Sequence, residues 1–196
     1  IDSVAFPSTP STEFWSGSPH QNASDYPWGI HFYYGLSTNN DRTYPAAVRM
    51  VRSGLVFGLL DIARPTTDYV DQGDGTVTHT PTGLIWQRCQ IGQTWTGSTC
   101  AGTESIFTRD AAKLLTSNLG GKTDWRLPTQ DELLSLVDFR NYDPAINKLL
   151  FPNTVSSSVV SGSTLADGTN ATLKVSFRDG WSYGVSGNDS GSVRLV

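Results

Sequence analysis

The chain has 196 residues, of which 37% are hydrophobic and 11% aromatic, and its formal net charge is −4. That is enough apolar material for a packed core, while charged residues fall to 16% and Gly, Ser, Thr and Asn are plentiful, a bias towards strands and turns. The charge balance and the lack of any Lys/Arg run argue against a polyanion-binding surface, so no nucleic-acid partner is expected. No apolar run reaches the roughly 20 residues a spanning helix needs, so no membrane insertion is expected.

Taken in order, Ile1 opens the text IDSVAFPST, and the same kind of text returns at Ile146 as INKLLFPNT. No leader-like segment is read there, as expected of a mature product or an excised piece. Residues 1–51 lie over 146–196 without a gap. Phe6 falls on Phe151, Pro7 on Pro152, Thr9 on Thr154 and Ser16-Gly17-Ser18 on Ser161-Gly162-Ser163. Phe32 falls on Phe177, Gly35 on Gly180, and Val48-Arg49-Met50-Val51 on Val193-Arg194-Leu195-Val196. A period of about 145 residues is too long for a solenoid unit and suits a whole domain. The expected division is therefore 1–54 as the second half of a repeated module whose first half is absent, 55–63 as a linker around LVFGLL, and 64–196 as a complete module.

The matches cluster at the ends of the two copies, which marks scaffold strands with exposed loops between them. The loop text of the first copy runs HQNASDYPWGIHFYYGLSTNNDRTY, and the second copy has RDGWSYGVSGNDSG. Rigid aromatics mixed with short hydrogen-bonding side chains suit an adaptable contact surface. The candidate contact residues are Tyr33, Tyr34, Asn39, Asn40, Asp41 and Tyr44 in the first copy. Arg178, Asp179, Trp181, Tyr183, Asn188 and Asp189 are the candidates in the second. The plain alternative is ordinary hairpin turns with aromatics packed beneath them.

Thr76–Thr78 and Leu84–Trp86 read as strands, with turns at Asp74-Gly75 and Pro81-Thr82-Gly83. Asp71 and Asp74 could touch calcium, but the run lacks the regular oxygen ligands of a calcium loop, so a turn is the preferred reading and no cofactor is expected. Cys89 and Cys100 flank a Gly/Thr/Ser loop and read as a disulfide, which implies an oxidising compartment; two free thiols are the alternative. Thr108 caps a helix expected to run to about Asn118, with Ala111, Ala112, Leu114 and Leu115 inward and Gly120-Gly121 at its end. In TDWRLPTQDELLSLVD, Pro128 stops a strand-like Trp125–Leu127. Thr129 and Glu132 form a capping box, and Leu133, Leu136 and Val137 make one apolar stripe. Asp131, Glu132 and Asp138 read as helix-dipole partners and surface charges. Arg126 is expected to bond backbone carbonyls, and Trp86 and Trp125 to be core aromatics.

Of His20, His31 and His79, none sits in a metalloprotease or nucleophile-elbow pattern, and His79 is expected to be solvated or to cap a turn. Neither a catalytic group nor a metal ligand is assigned.

The ordered set TVTHTPTGLIWQRC, the cysteine loop, TDWRLPTQDELLSLVD, DPAINKLLFPNT and the closing VRLV resembles the bacterial domain family typified by the C-terminal domain of the Legionella collagen-like adhesin. The resemblance covers 64–196, and 1–51 are similar to the family's second half. It implies an α+β, C-type-lectin-like fold, with two short helices on twisted antiparallel sheets and many loops, as in formylglycine-generating enzymes. It also implies a secreted or surface-exposed, tandemly repeated bacterial protein involved in attachment. The sequence departs from the family at the turn after FPNT. Phe14-Trp15-Ser16-Gly17-Ser18 keeps the aromatic of a Trp-Ser-Ser-Ser-like turn, and Val159-Val160-Ser161-Gly162-Ser163 does not. The EPN, QPD and WND signatures of calcium-dependent lectins are missing. Both cysteines precede the middle helices, unlike the late reactive pair of formylglycine-generating enzymes, so no catalysis is expected.

Two functional readings follow. The first is an extracellular binding or adhesion module that takes a host or bacterial surface glycan or protein through its loops. The second is a structural subunit of a fibre or surface array that self-associates through residues 1–54, since an incomplete module exposes strand edges.

Overall fold

The protein is described here from a computed structural model over residues 1–23, 25–50, 64–165, 167, 169–186 and 189–196. The expected linker 55–63, residues 51–54 before it and the candidate Asn188 lie outside the described residues.

The first fifty residues hold an antiparallel three-stranded sheet, β1 (Glu13–Trp15), β2 (Trp28–His31) and β3 (Leu36–Asn39). A second antiparallel sheet follows, β4 (Tyr69–Asp71), β5 (Thr76–His79) and β6 (Leu84–Gln87), turned at the two places the Gly and Pro dipeptides mark. β7 (Thr94–Trp95) and β8 (Cys100–Ala101) pair within the cysteine loop, which the Cys89–Cys100 disulfide closes. Then come β9 (Ile106–Thr108), α1 (Arg109–Ala112), α2 (Gln130–Leu134), β10 (Ser158–Thr164), β11 (Thr172–Ser176), β12 (Ser182–Val185) and β13 (Ser190–Ser192). The largest sheet runs β12-β11-β10-β13-β9. The class is α+β. The sheet is mixed, because β13 lies parallel to β10, where a purely antiparallel arrangement was expected.

Adjacent residues of β10 face opposite ways, as the period of two in a strand requires. Val159 packs with Val175, Leu133, Leu136, Phe151, Phe177 and Trp86 on one side. Val160 packs with Ala112, Trp125, Leu127 and Leu195 on the other. Each short helix thus supplies one face of the sheet with a cover. Trp86 and Trp125 are core aromatics as expected.

α2 starts where the sequence says it must. Thr129 accepts from the Glu132 N–H and Glu132 reaches back to the Thr129 N–H, a complete capping box. Two expectations change. α1 is a single turn ending at Ala112, not a helix to Asn118: Ala112 is buried and Leu115 packs against the same cluster, but Leu114 is 82% exposed, so the expected apolar stripe is broken. Asp138 is buried rather than a surface charge, held by the Arg140 guanidinium and the Arg140 N–H. Arg126 bonds a backbone carbonyl as expected, that of Leu127 at 3.4 Å, and adds a two-pronged ion pair with Glu132, at 2.8 and 2.6 Å. Of the two readings of His79, the turn cap holds: the ring is buried, with Nδ1 2.8 Å from Thr82 Oγ1 across the turn it braces.

The described strands of the first fifty residues recur at an offset of 145. Glu13, Phe14 and Trp15 pair with His31, Ile30 and Gly29; Ser158, Val159 and Val160 pair with Ser176, Val175 and Lys174. Trp28 faces Asn39 as Leu173 faces Gly184. The parallel bridge Phe14–Ala47 has its counterpart in Val159–Ser192. Even the turns agree. Phe6 N–H donates to Asp2 O and Phe151 N–H to Asn147 O, and Ser8 and Asn153 both take a positive φ.

Candidate functional site

The two related segments meet through equivalent residues. The N–H of Ser37 donates to Ser182 Oγ and the N–H of Ser182 to Ser37 Oγ, each at 2.9 Å, so β3 and β12 face each other about a local two-fold relation. Ser37 Oγ also lies 3.2 Å from Gly180 O, and Gln130 Nε2 donates to Gly35 O at 3.1 Å. Trp28 meets Phe139 edge to face, with ring centres 5.3 Å apart, and His20 stacks on Trp28. β12 would otherwise present an open sheet edge, and here the edge is covered.

Around this joint the candidate residues fall into separate groups. Trp181 and Tyr183 sit two apart on one face of β12 and its approach, and their rings stack at 4.8 Å. Tyr183 OH is fixed by Ser158 Oγ at 2.6 Å. Lys174 lies opposite Tyr183 in the β11–β12 register, buried, and its ammonium donates to Asp189 at 2.8 Å and to Ser190 O. That ammonium holds the Asp189 carboxyl below the usual carboxylate range. Asp179 accepts from the Trp181 N–H and sets the turn before the strand. Trp181 is 41% exposed, so the pair forms a rigid, partly open aromatic platform bordered by carboxylates.

Arg178 belongs elsewhere. Its Nε donates to Tyr142 OH at 2.9 Å and its guanidinium lies over the Tyr142 ring, 5.6 Å from its centre; Tyr142 in turn meets His20. In the first segment Tyr33, Tyr34 and Tyr44 are exposed, and Tyr34 packs against both Tyr33 and His31. Asp41 accepts from the Thr43 N–H and hydroxyl, which lowers its pKa. Asn40 donates to the buried Glu13 at 2.7 Å, and Asn39 pairs with Trp28 in the ladder, so these two serve the scaffold. Sequence reasoning missed Lys174, Ser158 and Tyr142. The strand alternation Lys174–Ser176 against Trp181–Tyr183 was the signal that could have found the first.

Among the described residues no group of three or more His, Cys, Asp and Glu could hold a metal ion. Asp71 is tied to Arg88 and Asp74 to Thr76. No helix among them is long and apolar enough to cross a membrane.

Residues 75–196 match the family model of the Lcl C-terminal domain. The chain belongs to the Lcl C-terminal domain family. No curated protein and no solved structure matches it. The Lcl match starts at the β4–β5 turn and takes in the disulfide, the capping box and the Trp181–Tyr183 platform. It is an adhesin-associated family rather than an enzyme family.

Proposed function

We propose that this chain is a cell-surface or secreted attachment module of C-type-lectin-like architecture, which binds a surface glycan or protein without catalysis. The observation that carries the reading is the Trp181–Tyr183 stack, locked from below by Ser158 and flanked by Asp179 and Asp189. A fixed aromatic face takes the apolar face of a sugar ring or a side chain at little entropic cost, and nearby carboxylates accept hydroxyl or amide hydrogens. The exposed Tyr33, Tyr34, Asp41 and Tyr44 form a second surface of similar chemistry. Family membership supports an adhesive role and a surface location.

The test is a glycan array and a cell-surface pull-down with the intact chain, Trp181→Ala and Tyr33→Ala. Trp181→Ala should lose at least tenfold in binding while keeping its urea midpoint, and chelator should leave binding unchanged. Binding by Trp181→Ala at wild-type strength would remove the platform from the account.

A further inference from the structure

The two equivalent segments differ in what covers them. Ile146, Phe151, Val193 and Leu195 are all 0% exposed, while their counterparts Ile1, Phe6, Val48 and Met50 are 55, 42, 64 and 88% exposed. Three internal contacts nonetheless recur in both. Arg194 donates to Thr154 Oγ1 at 2.8 Å and lies over Phe151, 4.8 Å from the ring centre. Arg49 donates to Thr9 Oγ1 at 2.6 Å and lies over Phe6 at 5.1 Å. Ser18 N–H bonds Ser16 Oγ as Ser163 N–H bonds Ser161 Oγ.

What differs is the first-half partner. In the covered segment, Arg194 Nη1 donates to the carbonyls of Gln87 and Arg88. The N–H groups of Ile91 and Gln87 donate to Val193 O and Leu195 O, so 87–91 runs alongside 193–195. Leu127–Gln130 crosses Ser161-Gly162-Ser163: Gly162 N–H donates to Pro128 O at 2.7 Å and Gln130 N–H to Ser163 Oγ at 3.0 Å. In the exposed segment a hollow of about 360 Å³ opens over Ser16-Gly17-Ser18, between Trp15 and Pro27, and among the described residues nothing lies within 4 Å of a Cβ placed on Gly17.

We propose that residues 1–50 are a preformed receptor for a first-half segment with the chemistry of residues 75–145, entering Ile1 as Ala145 enters Ile146. The occupant supplies a carbonyl to Gly17 N–H, an N–H to Ser18 Oγ and carbonyls to Arg49. It lays a strand beside 48–50 by β-augmentation and covers Phe6, Val48 and Met50 with apolar side chains. These demands fall on main-chain groups and apolar bulk, so any first half of this family with the same backbone meets them. A second copy of the chain is the poorer occupant, because its residues 75–145 already cover its own 146–196. The proposal is independent of what the exposed loops bind.

The test joins this chain's residues 64–145 directly to Ile1 of the full chain. Hydrogen–deuterium exchange is followed in peptides over 15–18 and 47–50, with and without Met50→Asp. Completion should slow exchange in both peptides at least tenfold and make the added segment resistant to protease. Met50→Asp should leave the urea midpoint of the original chain unchanged, since that side chain is 88% exposed, and should abolish the protection in the joined chain. Unchanged exchange with a protease-sensitive added segment overturns the proposal. So does dimerisation of the original chain that itself protects 15–18 and 47–50, which makes a second copy the occupant.

Discussion

Phe151 and Phe6 occupy equivalent places in the two related segments, and their environments predict unequal costs of truncation. A buried Phe covers about 150–250 Å². Phe151 is 0% exposed, against Tyr69 and Arg194; at about 25 cal/mol per Å², and with the Cβ that Ala keeps left out of that area, its truncation to Ala loses about 3–4 kcal/mol, to which an unfilled cavity adds. Phe6 is 42% exposed. It loses a little over half that area, water fills the gap, and the cost is about 2 kcal/mol with no cavity added. Urea titrations of Phe151→Ala and Phe6→Ala at unchanged slope read the two directly. Should Phe151→Ala not fold, Phe151→Leu, at about 1 kcal/mol, keeps the comparison measurable. Equal losses at the two positions would refute the reasoning, because Phe6 would then be as enclosed as Phe151.

Gly180 and Gly35 make a second matched pair. Both have positive φ, but a Cβ on Gly180 would lie 2.6 Å from Val137 and 2.7 Å from Phe139, and one on Gly35 meets nothing within 4 Å among the described residues. Gly35→Ala should cost about 1 kcal/mol from backbone strain alone, and Gly180→Ala about 3 kcal/mol or more, read by thermal unfolding. Glu132 is held down to about 2, first by the Arg126 guanidinium and then by the Thr129 N–H. A depressed carboxyl stabilises the fold above its unfolded value near 4.5, and that contribution disappears as pH falls through about 2. The Tm gap between wild type and Glu132→Gln should therefore be constant above pH 4.5 and close towards pH 2; a gap that persists there would sever the link to this ion pair. Reduction of Cys89–Cys100, which closes a separation of 11 residues, should remove about 3 kcal/mol and lower the urea midpoint without changing the family of strands seen by circular dichroism.

Local chemistry made much of this legible from the chain alone. The Thr129–Glu132 capping box, the Asp74-Gly75 and Pro81-Thr82-Gly83 turns and the short Cys89–Cys100 loop each involve groups a few residues apart, and their geometry follows from the residue types. The 145-residue correspondence was also readable as text, and the strand registers of the two segments follow it residue for residue. The length of α1 was not readable. Ala111, Ala112, Leu114 and Leu115 form a passable apolar run, but only contact with β9 and β10 could decide how much of it is buried, and only Ala112 is.

The candidate surface divides the same way. Trp181 and Tyr183 stand two apart, so strand alternation puts them on one face whatever the rest of the molecule does. That Lys174 stands beside Tyr183 with Asp189 as its counter-charge depends on the β11–β12 register, which the local sequence does not specify. The pairing of Ser37 with Ser182 and the burial of Leu195 beside the exposure of Met50 are further still from sequence logic. Nearly the same side chains stand at these places in both segments. Burial is a property of what arrives from elsewhere in the chain, and only the tertiary structure places it.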